Sequence, residues 1–507
     1  MMRYLSVLLL SFWGLTGCAE RSSLAQAPPN IVFLFADDLT YQAIHALGNQ
    51  TIKTPNLDRL VKEGTTFTHA YNMGAWNGAV CAASRAMLNS GRSVWRANRF
   101  RQNWIKGDST ALQHTWSKLM AGAGYDTYMT GKWHVDAKAD LIFDHARHIR
   151  PGMPKDRWEH FEMVARFAEL EDSGQDPQSI MPLGYNRPLG PNDKSWLPTD
   201  TAMGGFWEGG KHWSEVLKDD ALDFIAAASA KADPFFMYLA FNAPHDPRQA
   251  PQSYLDQYPL AEIELPESWL AKYPYQDESG NGPSLRDAAL APFPRNEYAT
   301  KVHIKEYYAI ITHLDAQIGK ILDALEQSGT LDNTYIFFSA DHGLALGEHG
   351  LMGKQNMYDH SIRVPLMVKG PSVPQGGKIS ADVYLQDIMA TTLELAGVPK
   401  PEYLEFNSFL DLTQSADPQS HYQAIYGCYI DFQRMIRKDD FKLIVYPKAQ
   451  KVRLFDLNAD PHEMQDLSDQ PEYKAKSKQM FGELMALQAQ MEDTLDLADL
   501  YDLTFKD

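Results

Sequence analysis

Residues 30–38, NIVFLFADD, indicate the fold class of this chain. A short apolar run that is rich in β-branched and aromatic residues and ends at two aspartates predicts a strand buried on both faces. The pattern recurs at 235–241, FFMYLAF, before NAPHDP, and at 334–340, TYIFFSA, before Asp341-His342. Strands of this kind belong to parallel or mixed sheets that helices cover on both sides.

Segments with helical spacing of apolar residues lie between the predicted strands, at 54–64, 219–232 and 305–329. This alternation predicts an α/β domain whose mixed, mostly parallel central sheet is sandwiched by helices. Ligands of such sheets bind beyond the carboxyl ends of the strands. The polar residues that follow each strand are therefore predicted to meet at one edge of the sheet.

The pattern changes near residue 418, where four short strand-like runs are separated by turns, at 421–430, 432–439, 441–447 and 452–457. A terminal helix is predicted at about 472–492. These features predict a smaller C-terminal α+β subdomain that carries an antiparallel sheet. We therefore divide the chain into a main domain at 29–417 and a C-terminal subdomain at 418–507.

The chain has 507 residues and a formal net charge of −18. This acidic balance disfavours nucleic acid as a partner, because phosphate backbones require a basic surface. Two segments rich in Pro, Gly, Trp and Tyr, 142–215 and 250–300, are predicted to be long surface insertions. Loops of that length are usually functional, and we expect these two to select the substrate.

The N-terminal sequence MMRYLSVLLLSFW is too short to span a bilayer and is typical of an export signal. The Leu-Thr-Gly-Cys that follows resembles a bacterial lipoprotein cleavage site, which predicts a signal peptide at 1–17, a lipidated Cys18 and a tether at 18–28. An ordinary secretory signal cut near Ala25 or Ala27 is the alternative. We predict an exported protein of the periplasm, outer membrane or cell surface, attached to a membrane only through its lipidated N-terminus.

Cys81 begins the stretch CAASRAMLNSGR, at the start of a predicted short helix. A cysteine so placed is a packed thiol, half of a disulfide, a metal ligand or a nucleophile. Cys428 lies in the apolar run AIYGCYI, which favours a buried thiol, although one disulfide with Cys81 stays open. A free thiol in an oxidising compartment is a liability unless it is used or modified.

Asp37 and Asp38 are adjacent carboxylates that repel each other unless a cation or hydrogen-bond donors compensate. Together with Asp341-His342 they could supply ligands to a hard cation such as calcium. The chain has no Cys/His cluster of the kind that binds zinc. A solvated turn or a helix cap is the alternative for the two aspartates.

Four basic side chains stand in turns and strand ends near these carboxylates. Lys132 and His134, two residues apart in TGKWH, point the same way on an extended segment. His245 lies in the proline-flanked turn NAPHDP, and Lys354 lies in the glycine-bracketed loop GLMGKQNMY. Each of them alone is an ordinary surface residue, so their significance depends on whether they meet.

CAASR followed by AMLNSGR resembles the signature of the type I, formylglycine-dependent sulfatases of the alkaline phosphatase superfamily. The similarity continues in the family's order through NIVFLFADDL, TGKWH, NAPHDP and SADHGLALGEHGLMGKQ, and it covers most of residues 30–470. The DHG and APHDP forms are most similar to those of iduronate sulfatase and many bacterial polysaccharide sulfatases. The resemblance implies an alkaline phosphatase-like catalytic domain at 29–417 that hydrolyses sulfate esters of a sulfated oligo- or polysaccharide.

The resemblance also implies that a formylglycine-generating maturation enzyme oxidises Cys81 to Cα-formylglycine, whose hydrated aldehyde attacks sulfur. Ala83 stands where proline is commonest in the family, so the maturation system stays open. The family's calcium ligands correspond to Asp37, Asp38, Asp341 and His342 together with residue 81. His342 stands where some members have asparagine.

By the same resemblance, Arg85 holds the hydrated aldehyde, and Lys132 and Lys354 neutralise the sulfate oxygens. His245 is the expected acid for the departing oxygen, and His134 the expected base for the second hydroxyl of the nucleophile. Two other functions are alternatives for this chain. One is a phosphonate or phosphate ester hydrolase of the same superfamily, and the other is a surface lipoprotein that binds sulfated glycans without turnover.

Overall fold

The computed structural model describes residues 28–152, 165–166, 168–170, 172–175, 185–203 and 205–506. The predicted signal peptide at 1–17 and the predicted lipidated Cys18 lie outside these residues, as does nearly all of the predicted tether. No helix in the described part of the chain has the length and apolar character that a membrane crossing requires.

The described strands are β1 Asn30–Ala36, β2 Thr65–Tyr71, β3 Gly74–Ala75, β4 Asp126–Lys132, β5 His145–Arg150, β6 Trp207–Glu208, β7 Lys211–His212, β8 Phe235–Ala240, β9 Thr334–Ala340, β10 Ala345–Leu346, β11 Met352–Gly353, β12 Arg363–Lys369, β13 Gly377–Ile379, β14 Val383–Tyr384, β15 Ile425–Tyr429, β16 Gln433–Lys438, β17 Phe441–Tyr446 and β18 Lys451–Asp456. The α-helices are α1 Pro55–Glu63, α2 Val80–Ser90, α3 Val94–Ile105, α4 Ser109–Leu112, α5 Trp116–Gly122, α6 Trp213–Ser229, α7 Gln252–Leu255, α8 Glu297–Gln327, α9 Asp359–Ile362, α10 Asp387–Leu395, α11 Leu410–Gln414, α12 Lys474–Gln490 and α13 Ala498–Phe505.

The main sheet has the strand order β13-β2-β12-β9-β1-β8-β4-β5, with β14 also paired to β2. Its pairs are parallel, except that β12 runs antiparallel to β2 and β9. Ala36 of β1 is paired with Ala340 of β9. The residues that follow, Asp37 and Asp341, therefore leave neighbouring strands side by side. The predicted mixed, mostly parallel sheet is confirmed.

Alternate residues of β1 face opposite helical layers, as the two-residue period of a strand requires. Phe33 and Phe35 pack in a core that also includes residues of α2, α3 and α5. Val32 and Leu34 pack in a second core with residues of α1, α6 and α8. Burial on both faces explains why the strand is apolar at every position between Ile31 and Ala36.

The C-terminal sheet consists of β15 to β18, paired antiparallel as predicted, and of a fifth strand from the main domain, β3, which pairs parallel with β15. Gly74 of β3 has a φ of +82°, and a Cβ there would lie 1.9 Å from the carbonyl oxygen of Cys428. Only glycine fits this approach. Strand β3 was not predicted, because two residues show no periodicity. The division at 417/418 stays a prediction.

Candidate active site

Cys81 is the second residue of α2 and lies beside the ends of β1 and β9. Its Sγ is 3.3 Å from Asp38 Oδ1, and the side chain is buried. Burial and the carboxylates of Asp341, Asp37 and Asp38 raise the pKa of the thiol well above its usual value. A protonated thiol is a poor nucleophile. Both described cysteines are free, so the disulfide with Cys428 is absent from the structure.

Arg85, one turn further along α2, organises the floor of the site. Its Nε donates to Asp341 Oδ2 at 2.8 Å, and its Nη1 donates to the Lys132 carbonyl at 2.7 Å. Its Nη2 is 3.9 Å from Asp37 Oδ1, and its guanidinium stacks 4.7 Å from the centre of the Phe35 ring. The side chain is fully buried, so these bonds fix it and hold the helix to the sheet.

Two buried lysines pair with the adjacent aspartates. Lys132 Nζ forms an ion pair with Asp37, and Lys354 Nζ is 2.5 Å from Asp38 Oδ2. Burial lowers the pKa of Lys354, but Asp38 and other anions outweigh it and raise that pKa well above its usual value. Burial likewise raises the pKa of Asp38 to about 6, against the opposing effect of Lys354.

The carboxylates fit a hard divalent cation. Asp37, Asp38, Cys81 and His245 offer ligand atoms that all lie within 4.8 Å of one another. Among the described residues, Asp37 Oδ1 is buried without a hydrogen-bond partner. Two of the four groups are carboxylates, whose oxygens are the ligands that a hard cation such as calcium prefers.

The other two predicted ligands lie just outside that group. Asp341 Oδ1 accepts the Asp38 N–H at 3.1 Å, and its Oδ2 binds Arg85. His342 Nδ1 donates to the Gly343 carbonyl at 3.0 Å, so Nε2 carries the lone pair, and Nε2 is buried and unpaired within the described chain. The ligand role of these two residues stays a prediction.

His245 lies next to the carboxylates. Its Nδ1 donates to the Asp246 carbonyl at 2.8 Å, which leaves Nε2 facing Asp38 Oδ2 at 3.5 Å. Burial lowers the pKa of His245 well below its usual value, and Lys354 and Lys132 lower it further. A ring fixed in this way presents one nitrogen to the centre of the site.

His134 lines a cavity of about 430 Å³ that is also bordered by Ala79 and Ala82, which flank Cys81. Both His134 (φ 54°) and Asp38 (φ 60°) have left-handed backbones, a conformation that Asp and His adopt more readily than most other non-glycine residues. A Cβ at Gly152 would lie 2.4 Å from the His134 ring, so glycine allows that close packing.

Several contacts in the site were not predicted from the sequence. The Asp341 carbonyl accepts from Asn72 Nδ2 at 2.7 Å and from Ser84 Oγ at 2.8 Å. Asp287, from the predicted insertion at 250–300, lies 3.9 Å from Lys354 Nζ. Ser84 lies in the CAASR stretch and could have been suspected, whereas nothing in the sequence around Asp287 points to the site.

Comparisons with known proteins agree with this geometry. The model of the sulfatase family matches residues 29–398, and a model of the C-terminal part of N-sulphoglucosamine sulphohydrolase matches 347–490. An arylsulfatase of Clostridium perfringens is 30% identical, over 88% of this chain and 92% of the relative. An N-acetylglucosamine-6-O-sulfatase of Bacteroides thetaiotaomicron is 28% identical, over 96% and 91%.

Two solved structures share the fold. One, in complex with its substrate D-glucosamine-2-N,6-O-disulfate, has a TM-score of 0.68 and 24% identity, over 95% of this chain and all of that one. A phosphonate monoester hydrolase of Agrobacterium radiobacter has a TM-score of 0.66 and 19% identity, over 91% and 96%.

The fold, the buried charges around residue 81 and these matches define a hydrolase with an alkaline phosphatase-like sheet. The chain belongs to the sulfatase family, and it is an enzyme that hydrolyses sulfuric esters. The predicted family and enzyme class are confirmed.

Proposed function

We propose that this sulfatase removes sulfate from a sulfated oligo- or polysaccharide, with formylglycine formed from Cys81 as the nucleophile and one calcium ion as cofactor. The observation that carries the proposal is the convergence of Asp37, Asp38, Arg85 and Lys132 around residue 81, at the head of a helix. Formylglycine would supply a hydrated aldehyde that attacks sulfur, and calcium would lower the pKa of that hydroxyl and stabilise negative charge on the ester oxygens.

Three buried cations of the chain bind and orient the ester. Arg85 is locked between Asp341 and the Lys132 carbonyl, so it holds residue 81 in place. The ammonium groups of Lys132 and Lys354 pair with Asp37 and Asp38, respectively. Each can also donate a hydrogen bond to a sulfate oxygen. Fixed donors of this kind stabilise charge that develops on the oxygens during transfer.

The two histidines are assigned two different proton transfers. His245 Nδ1 is held by the Asp246 carbonyl, so Nε2 carries the lone pair in the neutral ring and donates to the departing sugar oxygen only after it has taken up a proton. His134 lies on the cavity side and has a buried, unpaired Nδ1 within the described chain. In the proposed reaction His134 accepts the proton whose loss frees sulfate.

The cavity beside residue 81 suits a carbohydrate. Its walls include the polar side chains of Asn77, Arg101, Asp136 and Arg150 and the ring of Trp76. Trp76 Nε1 and Asn77 Oδ1 are buried and lack hydrogen-bond partners among the described residues. Hydroxyl groups of a sugar can satisfy both a donor and an acceptor. The relatives named above include a sulfatase of N-acetylglucosamine-6-O-sulfate, which points the same way.

The proposal also covers the maturation of Cys81 and the cellular location of the protein. Cys81 requires a formylglycine-generating maturation enzyme, and the export signal and Cys18 predict a periplasmic or surface lipoprotein. Lipidation of Cys18 is tested by growing cells that express the protein with a labelled fatty acid. The Cys18→Ser variant should carry no label and should appear in the soluble fraction. Label retained by that variant would refute lipidation at Cys18.

The activity itself is tested by release of sulfate from a panel of defined sulfated oligosaccharides. The calcium-loaded chain is made with a maturation enzyme, and Cys81→Ala serves as the inactive control. Phosphate and phosphonate monoesters are assayed beside nitrophenyl sulfate. Faster hydrolysis of phosphonates would favour the alternative hydrolase, and glycan binding without turnover would favour a binding lipoprotein.

A further inference from the structure

Asp287 is a buried carboxylate that the sulfatase motifs do not include. It precedes the short 3₁₀ turn Ala288–Leu290 in the predicted insertion at 250–300, and it is 5% exposed. Its Oδ2 accepts from Gln355 Nε2 at 2.7 Å, and its Oδ1 forms an ion pair with Arg286. The predicted insertion at 250–300 therefore contributes a fixed negative charge to the active site.

The ammonium of Lys354 lies between two carboxylates. Nζ is 2.5 Å from Asp38 Oδ2 and 3.9 Å from Asp287 Oδ2, and in the described part of the chain these are the carboxylates within ion-pair distance. The backbone that leads to Lys354 is pressed against Asp287, because a Cβ at Gly353 would lie 2.6 Å from Asp287 Cβ. A small movement of the side chain can thus exchange one carboxylate for the other.

Asp38 has two incompatible partners in the proposed mechanism. It is a ligand of the proposed cation, yet its Oδ2 also binds the ammonium of Lys354. A buried ammonium that loses its counter-ion is costly, because nothing replaces the lost charge. The cation can therefore bind tightly only if Lys354 finds a second anion nearby.

We propose that Asp287 is a positioning residue that receives the Lys354 ammonium when a divalent cation takes Asp38. The inference rests on the cation site of the proposed function. Asp287 acts through Lys354 and keeps that ammonium in the pocket, where it meets the sulfate oxygens. Without the charge of Asp287, Lys354 stays on Asp38 and competes with the cation.

The test is a double-mutant cycle on calcium affinity, measured by titration calorimetry. It uses the full chain made without a maturation enzyme and stripped of metal. Asp287→Asn should weaken binding about 3- to 100-fold, the range of couplings between contacting groups. Asp287→Asn added to Lys354→Met should change affinity by less than twofold, because the competing ammonium is gone. Asp287→Ser, which needs less space, repeats the test if the asparagine variant folds poorly.

Asp246→Asn is the matched control for the loss of one buried negative charge. Asp246 also pairs with Arg286, and its Oδ1 lies 3.2 Å from Nδ1 of His245, but in the described chain it forms no ion pair with Lys354. We expect it to change calcium affinity less than Asp287→Asn does. In the matured enzyme, excess calcium should restore the kcat of Asp287→Asn, which a merely structural role would not allow.

Three outcomes would overturn the exchange. An unchanged affinity in Asp287→Asn would show that the ammonium does not compete. An equal loss in the Lys354→Met background would show that Asp287 acts on the cation directly. A folded, matured wild-type enzyme that binds no calcium would remove the cation site of the proposed function itself, and the exchange with it.

Discussion

Two buried lysines, Lys354 and Lys442, are each placed between two carboxylates, but in different surroundings. Lys354 lies between Asp38 and Asp287 at the sheet edge. Lys442 of β17 pairs with Asp359 and with Glu463, the latter at 2.7 Å, and is also 3.2 Å from a backbone carbonyl. Both side chains are almost wholly buried.

The two clusters differ in charge balance. Around Lys442 the cations Lys442, Arg363 and Arg437 face the anions Asp359, Glu463 and Asp382, three of each. Around Lys354, apart from the Arg286–Asp246 pair, three cations face four anions: Arg85, Lys132 and Lys354 against Asp37, Asp38, Asp341 and Asp287. A balanced cluster ties the C-terminal sheet to the main domain. An excess of buried negative charge indicates a site that a cation from outside completes.

The largest expected effect in the unbalanced cluster comes from Cys81→Ala. It should reduce sulfate release at least about 10⁴-fold, as loss of a nucleophile does, while the thermal unfolding temperature changes little. An assay of sulfate release measures the loss of activity. The mass of the peptide that contains residue 81 shows whether Cys81 is modified in the active enzyme. Unmodified thiol at residue 81 in fully active enzyme would contradict it.

His245→Ala should separate catalysis from sulfate binding. Sugar sulfate hydrolysis should fall about 10²- to 10⁴-fold, because a sugar alkoxide needs a proton to leave. Nitrophenyl sulfate hydrolysis should fall much less, because a nitrophenolate leaves unaided. Equal losses on both substrates would reject the acid role, and unchanged rates would reject any catalytic role.

Matching Lys→Met changes compare the two clusters directly. Lys354→Met should slow turnover about 10²- to 10³-fold, the usual result of removing a donor to developing charge. With calcium bound its loss of stability should be smaller than that of Lys442→Met, because Asp287 keeps Arg286 and the proposed cation neutralises Asp38. Lys442→Met should leave the rate per folded molecule unchanged but cost about 3–5 kcal/mol of unfolding free energy, because two anions lose their cation. Denaturant unfolding and initial rates measure both.

The opposite pattern in these two variants would break the distinction between a functional and a structural cluster. A large loss of stability in Lys354→Met would mean that the site cluster holds the fold. A rate loss in Lys442→Met, corrected for the folded fraction, would mean that the second cluster takes part in turnover.

Removal of calcium is expected to reduce the free energy of unfolding less than Lys442→Met does. At about 100 times its dissociation constant, calcium should stabilise the chain by about 2.7 kcal/mol, seen as a higher unfolding temperature. Lys442→Met should keep this increase, whereas Asp37→Asn should lose most of it. An increase retained in Asp37→Asn would place the ion elsewhere.

The sequence allowed the main sheet to be predicted because its strands are buried on both faces. Continuous apolar runs mark β1, β8 and β9, and parallel pairing then brings Asp37, His245 and Asp341 to one edge. Short elements carry no such signal, so β3 was missed.

Contacts between distant side chains could not be predicted for a different reason. His245 joins the group of ligand atoms, and Asp341 instead binds Arg85, because of distances that depend on rotamers and not on spacing in the chain. Asp287 lies in an insertion with weak periodicity, so its approach to Lys354 follows only from the packing of Gly353.

Strand β3 and its partner β15 are made at very different times during synthesis. Met73, just before β3, and Cys428 are joined by a backbone hydrogen bond of 3.0 Å, although 355 residues separate them. A ribosome that adds about 5–20 residues per second needs roughly 20 to 70 s to cover that distance. Until then β3 has no partner, and the segment that leads to Cys81 stays outside its final sheet. The topology would thus give the proposed maturation enzyme an interval in which to reach a side chain that the finished fold buries.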